Sequence, residues 1–218
     1  MAKISFDNNT ALPFLATTLG RRDEVPNQQL AERIIKDGKI DLLADVAKLL
    51  QHPKKEIQFD AIKTMYEVAT QQPDWVAPYV DTFIQLLESK HNRMVWGAMT
   101  ALSAIATNCT GKLFEHILLI VDKADSGSVI TRDHAVNILI ELARHTEYNE
   151  IAAPLLLEQI LKSPENQFPT YAEKSIPLFD GEHKQSLLHV LTLRKQEMVT
   201  PSKIKRVTAL IQKLERNK

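Results

Sequence analysis

Apolar residues recur along this chain in stripes with the spacing of an α-helix. The first clear stripe comprises Ile40, Leu43, Val46, Ala47 and Leu50. The second comprises Ile57, Ala61, Met65, Val68 and Ala69. Steps of three and four residues place side chains on one face of a helix, with polar residues on the other face. Pro53 lies between the stripes and predicts a turn. The pattern therefore predicts two amphipathic helices joined by a turn.

This helix pair recurs every 37 residues, without insertion or deletion, in four copies. One column of the repeat contains only alanine: Ala61, Ala98, Ala135 and Ala172. Two further columns are apolar: Met65, Leu102, Leu139, Ile176 and Val68, Ile105, Leu142, Phe179. Boundaries between copies are expected at residues 72–74, 110–111 and 146–149. Asp74 is expected to be the N-cap of a helix that begins at Trp75.

A single helix pair cannot bury both of its apolar stripes, so neighbouring pairs must stack into one continuous core. Alanine at a contact between helices lets their axes approach to ~8 Å rather than ~10 Å. In its period and its alanine columns, over residues 39–180, the chain resembles the HEAT and armadillo superfamily of α-solenoids. The resemblance implies an all-α, right-handed superhelix of helix pairs in which the second helices line a concave surface. We therefore expect residues 1–218 to form a single α-solenoid domain.

The two ends are expected to cap the solenoid, since terminal repeats must shield the core. Residues 1–38 are predicted to form N-terminal cap helices, with a packed segment at 11–19 and a helix that ends at Gly38. Residues 181–218 are predicted to form a degenerate capping repeat, because Ala209 lies 37 residues after Ala172. Its last helix is expected to begin at Pro201, with Thr200 as its cap. Pro177 is expected to end the preceding helix near Ile176.

A turn of 100° per residue places positions 56, 60, 63 and 67 opposite Met65 in the first copy. We call the side chains at these positions in the four copies the ridge. Ridge candidates for binding are Asp60, Lys63, Glu67, Arg93, Thr100, His134, Asn137, Glu141, Tyr171 and Lys174. The sixteen ridge positions hold four acids and three bases, which argues against a track for phosphates. The mixture suits a protein or peptide partner. The alternative is that these residues are only the solvated faces of helices.

Three residues on or beside the ridge, Gly97, Phe59 and Trp96, admit more than one explanation. Gly97 costs roughly 1 kcal/mol relative to alanine inside a helix. Close packing explains this cost better than the approach of a ligand. Phe59 and Trp96 share one column, and we interpret them as contacts between neighbouring copies rather than as an exposed aromatic site.

The chain has 27 basic and 27 acidic residues, a formal net charge of zero and 44% hydrophobic residues. This balance excludes a chain that is basic throughout and an acidic disordered one. From residue 184 onward, however, nine bases face two acids, a net charge of +7. The candidate basic patch is Arg194, Lys195, Lys203, Lys205, Arg206 and Lys213. Such a patch either forms a polar cap or contacts nucleic acid.

No motif of a nucleotide site, a metalloprotease, a calcium loop or a nucleophile elbow is present. We expect no cofactor and no metal. Cys109 is the single cysteine, and we interpret it as a packed side chain rather than as a nucleophile with His116 as its base. The longest aliphatic run, residues 117–121, is too short to span a bilayer. The chain is therefore expected to be a soluble, cytoplasmic and monomeric non-enzyme.

In length and repeat type the chain also resembles the alkylpurine DNA glycosylases built from HEAT-like repeats. That resemblance implies a basic concave surface that groups aromatic residues with a carboxylate. Here Thr100 stands one turn after Trp96, where an acid is needed, and Asp133 belongs to the next copy. Glycosylase activity is thus the less favoured, enzymatic version of nucleic-acid binding.

Overall fold

The computed structural model describes residues 10–216, and these residues are helical and contain no β-strand. The helices are α1 (Val25–Asp37), α2 (Ile40–Leu49), α3 (Lys55–Gln71), α4 (Pro73–Val76), α5 (Val80–Leu86), α6 (Asn92–Ala104), α7 (Thr110–Glu115), α8 (Ile117–Ser126), α9 (Val129–Ala143), α10 (Thr146–Lys162), α11 (Phe168–Ser175), α12 (Gly181–Glu197) and α13 (Pro201–Arg216). Turns of 3-10 helix lie at Leu12–Phe14, Ala77–Tyr79, Ala106–Asn108 and Ile176–Leu178. The chain divides into two compact units, Met1–His134 and Ala135–Lys218. The division falls within α9.

The repeat is confirmed by the burial of its alanines. Ala61, Ala98, Ala135 and Ala172 lie on the second helix of each copy, α3, α6, α9 and α11, and all are 0% exposed. The apolar columns beside them are buried as well, apart from Ile176, which is half-buried. The alanine column is therefore buried in all four copies.

The first helices of the copies differ from the prediction of a simple pair. In the second copy the first helix is divided into α4, a 3-10 turn and α5. Pro78 explains this break, because proline lacks an N–H and clashes with the preceding turn of an α-helix. In the third copy the division into α7 and α8 falls at His116, where neither proline nor glycine marks it. The copies at 73–104 and 110–143 therefore contain three α-helices rather than two.

The predicted cap at Asp74 is wrong. The N-cap is Gln72 and α4 begins at Pro73, so Asp74 lies inside the first turn. Proline suits the first position of a helix, where its missing N–H costs nothing. The carboxylate of Asp74 accepts a hydrogen bond from Asn108 instead.

In the first unit the second helices pack side by side. Helix α1 packs on α3 and α3 packs on α6, while α2 and α5 cover α3 and α6 respectively. At the α3–α6 contact, a Cβ atom on Gly97 would lie 2.7 Å from Cγ1 of Ile62. Real side chains do not tolerate this distance, so close packing accounts for the glycine.

In the region predicted to be the N-terminal cap, the helix end at Gly38 is confirmed. Helix α1 ends at Asp37, and Gly38 follows in the left-handed conformation with φ of +63°. Ala11, Leu15 and Ala16 are buried in the segment that precedes α1. Residues 1–9 of the predicted cap lie outside the described residues.

In the second unit α10 packs on α11 and α12, and α13 packs on α11 and α12. Helix α11 has only eight residues and ends at Ser175, as Pro177 predicted. Helix α13 begins at Pro201, also as predicted. Ala209, however, is exposed, so the alanine column does not continue as a packing position. The stripe of α13 that packs consists of Val207, Leu210 and Leu214.

Candidate functional site: the ridge

The ridge on α3 is largely covered by the N-terminal part of the chain itself. Asp60 is only 6% exposed and Lys63 only 7%, so the prediction that they face outward is wrong. Their burial follows from the packing of α1 on α3 and from the segment that precedes α1. These two residues belong to the interior of the first unit.

Asp60 is the centre of a buried polar network. Its carboxylate accepts one hydrogen bond from the N–H of Thr17 and one from Nδ2 of Asn27, each 2.7 Å long. Oδ1 of Asn27 in turn accepts the N–H of Ala16 at 3.0 Å. The hydroxyl of Thr64 donates to the backbone carbonyl of Asp60 at 3.1 Å. Buried polar groups need such partners, so the role of Asp60 is to fix the N-terminal segment and α1 on α3.

A chain of ion pairs lies next to this network. Nζ of Lys63 is 2.6 Å from Glu67 and 3.0 Å from Glu24. The other oxygen of Glu24 accepts a hydrogen bond from Nη2 of Arg93 at 2.7 Å. Burial by itself lowers the pKa of Lys63, but hydrogen bonds with Glu67, Tyr66 and Glu24 outweigh it and raise the pKa above its ordinary value. Lys63 is therefore a cation at any physiological pH.

Aromatic side chains join neighbouring copies beside these ion pairs. The ring of Tyr66 on α3 lies 5.9 Å from that of Trp96 on α6. The guanidinium of Arg93 lies 5.4 Å above the ring of Phe59, and the edge of His91 meets the same ring. Phe59 and Trp96 therefore make contacts between copies, as the sequence predicted, and Trp96 stays half-exposed. Burial raises the pKa of Tyr66.

The remaining ridge candidates of the first unit are Thr100 and His134, and both are half-buried. The hydroxyl of Thr100 donates to the carbonyl of Trp96 in its own helix at 2.8 Å. Asp133, which the glycosylase resemblance would need near Trp96, is half-buried on α9.

In the second unit, ridge side chains of adjacent copies bond to one another. Nζ of Lys174 donates to Oδ1 of Asn137 at 2.9 Å, and the two positions are 37 residues apart. Glu141 accepts a hydrogen bond from Arg144 at 2.7 Å. Nε2 of His145 lies 3.6 Å from the other oxygen of Glu141. Asn137, Glu141 and Lys174 are all at least partly accessible.

Tyr171, in contrast, is only 3% exposed, so its predicted exposure is wrong. The buried positions of α11 are Phe168, Pro169, Tyr171, Ala172 and Ser175. Tyr171 occupies the same column of the repeat as Asp60, and Asp60 is buried on α3 as well. The ridge therefore does not extend through Tyr171.

Half of the predicted basic patch is used inside the second unit. Arg194 lies 4.8 Å above the ring of Phe168 and donates to the carbonyls of Leu161 and Ser163 at the end of α10. Arg206 donates two hydrogen bonds to the carboxylate of Glu173, of 2.6 and 3.0 Å. Lys203 donates to Asn166. Lys195 is half-buried, and Lys205, Arg206 and Lys213 are exposed.

Cys109 is half-buried, and its Sγ lies 3.7 Å from the carbonyl oxygen of Ala77. Burial, and then the charge of Asp81, raises the pKa of its thiol. The ring of His116 bonds to the carbonyl of Lys112 at 3.1 Å instead. Because a nucleophilic cysteine needs a lowered pKa, this geometry favours the packed interpretation.

Residues 10–216 contain neither a grouping of metal ligands nor a helix able to cross a bilayer. No three His, Cys, Asp or Glu side chains of this part of the chain come together as metal ligands would. No helix in the same range combines the length and the apolar character that crossing a bilayer requires.

Glu24 and Asn27 contact ridge residues, and neither was predicted from the sequence. Asn27 lies 37 residues before Thr64, and its backbone carbonyl accepts a hydrogen bond from the Thr64 hydroxyl at 3.4 Å. The positions one period before Ala61, Met65 and Ala69 are the polar residues Glu24, Gln28 and Glu32, so the apolar columns of the repeat do not continue into α1. Nothing in the sequence pointed to Glu24.

Solved structures of similar shape exist, although no family model matches the chain and no curated protein is significantly similar to it. One designed armadillo repeat protein covers 94% of this chain over 100% of its own, with a TM-score of 0.65 and 18% identity. Another, solved in complex with the peptide (KR)4, covers 93% over 99%, with a TM-score of 0.67 and 19% identity. A computationally designed armadillo repeat protein for modular peptide recognition covers 93% over 99%, with a TM-score of 0.66 and 19% identity.

Identities this low show a shared fold and nothing about a shared ligand. They agree with the helical copies, the buried alanine column and the side-by-side second helices described above. The chain has the fold of an armadillo-type α-solenoid.

Proposed function

We propose that this protein is a non-catalytic scaffold that binds a protein or peptide partner along the accessible part of the ridge. The observation that carries the proposal is the repetition of polar side chains at equivalent positions of successive second helices. In the first unit these are Glu67, Arg93 and Thr100, and in the second unit Asn137, Glu141 and Lys174. Each unit thus offers polar side chains on its second helices to a ligand.

The composition of the accessible ridge supports a polypeptide ligand. Acids, bases and amides alternate, and Trp96 and Leu178 add half-exposed apolar surface. Interfaces with proteins combine aromatic anchors with a polar rim in this way. One structural neighbour holds a peptide, which shows that the fold can do so without showing that this chain does.

The proposal is tested by selecting peptides from a display library on the immobilised protein and measuring their affinity by fluorescence anisotropy. The ridge variant combines Glu67→Ala, Arg93→Ala, Asn137→Ala and Glu141→Ala. The control variant combines Lys48→Ala, Gln85→Ala, Glu88→Ala and Glu158→Ala, which are exposed positions on or beside first helices. Both variants remove two acids, one base and one amide, so their net charges match.

We expect the ridge variant to lose at least tenfold in affinity and the control variant to bind like the wild type. Circular dichroism and thermal melting of both variants establish that they are folded. Equal affinity of the folded ridge variant and the wild type would reject the ridge as the binding surface.

Nucleic-acid binding by the basic patch is the second candidate. Its support is the pair Lys205 and Lys213, which are exposed on α13 in a segment of high positive charge. A mobility-shift series over increasing salt tests it, because contacts with phosphate weaken steeply as salt rises. Lys205→Gln with Lys213→Gln should reduce the shift. Release of methylated purine from alkylated duplex tests the glycosylase alternative.

A further inference from the structure

The guanidinium of Arg93 uses only part of the edge with which arginine binds a carboxylate. Nη2 donates to Glu24, whereas Nε is buried and has no hydrogen-bond partner within the described residues. Two other arginines of this chain use both atoms. Arg21 binds Asp23, and Arg206 binds Glu173, through Nε and Nη2 together. Bidentate pairing is the stronger and more specific arrangement, so Arg93 holds an unused donor.

Space for another group exists beside this donor. Arg93, Glu24 and Phe59 line an open cavity of about 240 Å³ in the first unit. Phe59 forms an apolar surface beneath the guanidinium. A short polar side chain from outside therefore has both room and a flat surface next to Arg93.

Among the acids that line the cavity, Glu24 is the one that would compete with a ligand carboxylate for Arg93. Of the acids that line it, Asp23 is paired with Arg21, and Asp60 accepts hydrogen bonds from Thr17 and Asn27. Glu56 and Arg22, which also line the cavity, are exposed and opposite in charge. A ligand carboxylate would thus meet repulsion from Glu56 and from Asp60, whose hydrogen-bond donors are neutral, and attraction from Arg22 besides Arg93.

Glu24 is able to move away from Arg93 without leaving Lys63, its other partner, unpaired. Lys63, the second cation that Glu24 binds, has its shortest contact with Glu67 at 2.6 Å. If the side chain of Glu24 turns away, Lys63 stays neutralised and Arg93 alone loses its carboxylate. Exchanging one carboxylate for another adds no buried charge, so the usual desolvation penalty of a new ion pair is small.

We propose that Arg93 recognises a carboxylate of a partner polypeptide, and that Glu24 occupies this position as an intramolecular stand-in until the partner replaces it. The inference rests on the proposed function, since it assigns a ligand group to one accessible position of the ridge. It makes Arg93 a specificity-determining residue for acidic partners. Arg93→Lys should not substitute, because lysine lacks the planar pair of donors.

The test uses fluorescein-labelled peptides and the full-length protein. The first peptide alternates glutamate and glycine and has an amidated C-terminus. The second alternates glutamine and glycine and ends in a free carboxylate. Preference for the first assigns the site to an acidic side chain, and preference for the second assigns it to a chain terminus.

Glu24→Gln is the informative variant, because it removes the stand-in and keeps its size. We expect it to bind one of the two peptides at least tenfold more tightly than the wild type. Adding Arg93→Lys to Glu24→Gln should abolish that gain. Glu32→Gln on the exposed side of α1 is the matched control for the change in net charge, and it should bind like the wild type.

Equal binding by Glu24→Gln, Glu32→Gln and the wild type would overturn the stand-in, provided that melting curves show all three to be folded. A gain that persists with Arg93→Lys would overturn the role of Arg93. Neither result would affect the proposed function, which is judged by the library-selected peptides and the ridge variant. Loss of those peptides from the ridge variant combined with no gain in Glu24→Gln would therefore reject this inference alone.

Discussion

The two terminal regions predicted to be caps hold their polar groups by different kinds of contact. In the N-terminal region, the segment that precedes α1 is held by hydrogen bonds to Asp60 and Asn27, which are 6% and 0% exposed. At the C-terminal end, α13 adds ionic and polar contacts at its exposed rim, such as that between Arg206 and Glu173. Both ends also bury apolar side chains. They differ in whether the polar groups that hold them are buried or exposed.

This difference predicts an unequal distribution of stability. A buried donor that loses its partner costs about 1–3 kcal/mol, because water does not replace the partner. An exposed ion pair contributes about 0–1 kcal/mol, because water and salt screen it. Polar substitutions should thus be severe in the N-terminal cap and mild in the C-terminal cap. In the N-terminal cap, the buried network also specifies one position of the segment on α3.

The largest effect is expected for Asp60→Ala. It strands the N–H of Thr17 and the side-chain amide of Asn27, so we expect a loss of about 3 kcal/mol in the free energy of unfolding. Urea denaturation followed by circular dichroism measures it. Glu173→Ala in the C-terminal cap is the matched removal of an acid and should cost less than about 1 kcal/mol. Equal losses in the two variants would contradict the contrast between the caps.

The next effect concerns the contact between α3 and α6. Gly97→Ala inserts a methyl group 2.7 Å from Ile62, and overpacking of this kind costs about 1–3 kcal/mol. The better helix propensity of alanine returns up to about 1 kcal/mol, so we expect a net loss of about 1–2 kcal/mol. Gly111→Ala on the exposed face of α7 is the control and should be neutral or stabilising. Stabilisation by Gly97→Ala would mean that the helices are not packed at this distance.

A smaller effect is expected for the bidentate pair of the C-terminal cap. A double-mutant cycle with Arg206→Ala and Glu173→Ala should give a coupling energy of about 0.5 kcal/mol, because both side chains are exposed. The coupling should decrease further in 0.5 M salt, an ionic strength at which surface charges are screened over a few ångströms. A coupling energy of several kcal/mol would show that the two caps do not differ in kind.

The smallest effect depends on pH and concerns Glu165, whose carboxylate accepts the N–H of Thr200 at 2.8 Å. Hydrogen bonds from the hydroxyl and the N–H of Thr200 hold the pKa of Glu165 below its ordinary value. A carboxyl with a lowered pKa in the folded state stabilises that state above its unfolded pKa, and this stabilisation disappears as pH falls through the folded pKa. The difference in urea midpoint between wild type and Glu165→Gln should therefore be present at pH 7 and shrink at pH 3. A constant difference would show that ionisation of Glu165 contributes nothing.

Much of the fold was predictable because the 37-residue repeat and a few glycine and proline residues at helix ends specify it. The alanine column required close packing of successive second helices, and all four alanines are buried. Gly38, Pro177 and Pro201 end or begin helices through their own backbone chemistry, which is local and therefore readable. Pro78 divides the first helix of the second copy for the same local reason, although this division was not predicted.

The ridge was less predictable, because its exposure depends on what packs against it. Helical arithmetic gives the angle of Asp60 and Lys63 from the apolar stripe of their own helix, but not the position of α1. Tyr171 lies in the same column of the repeat as Asp60, and both are buried, so the apolar stripe of one helix does not show which ridge column other elements cover. Glu24 lies 39 residues before Lys63 and 69 before Arg93, and no local pattern connects such distant residues.

The most direct test of binding along the ridge is site-specific photocrosslinking to a library-selected peptide. A photoreactive phenylalanine derivative replaces Thr100 on α6 or, as control, the exposed Gln85 on α5. The account predicts a crosslink from position 100 and none from position 85, with the crosslink lost when unlabelled peptide competes. Crosslinking from position 85 alone would place the ligand on the first helices and contradict the account.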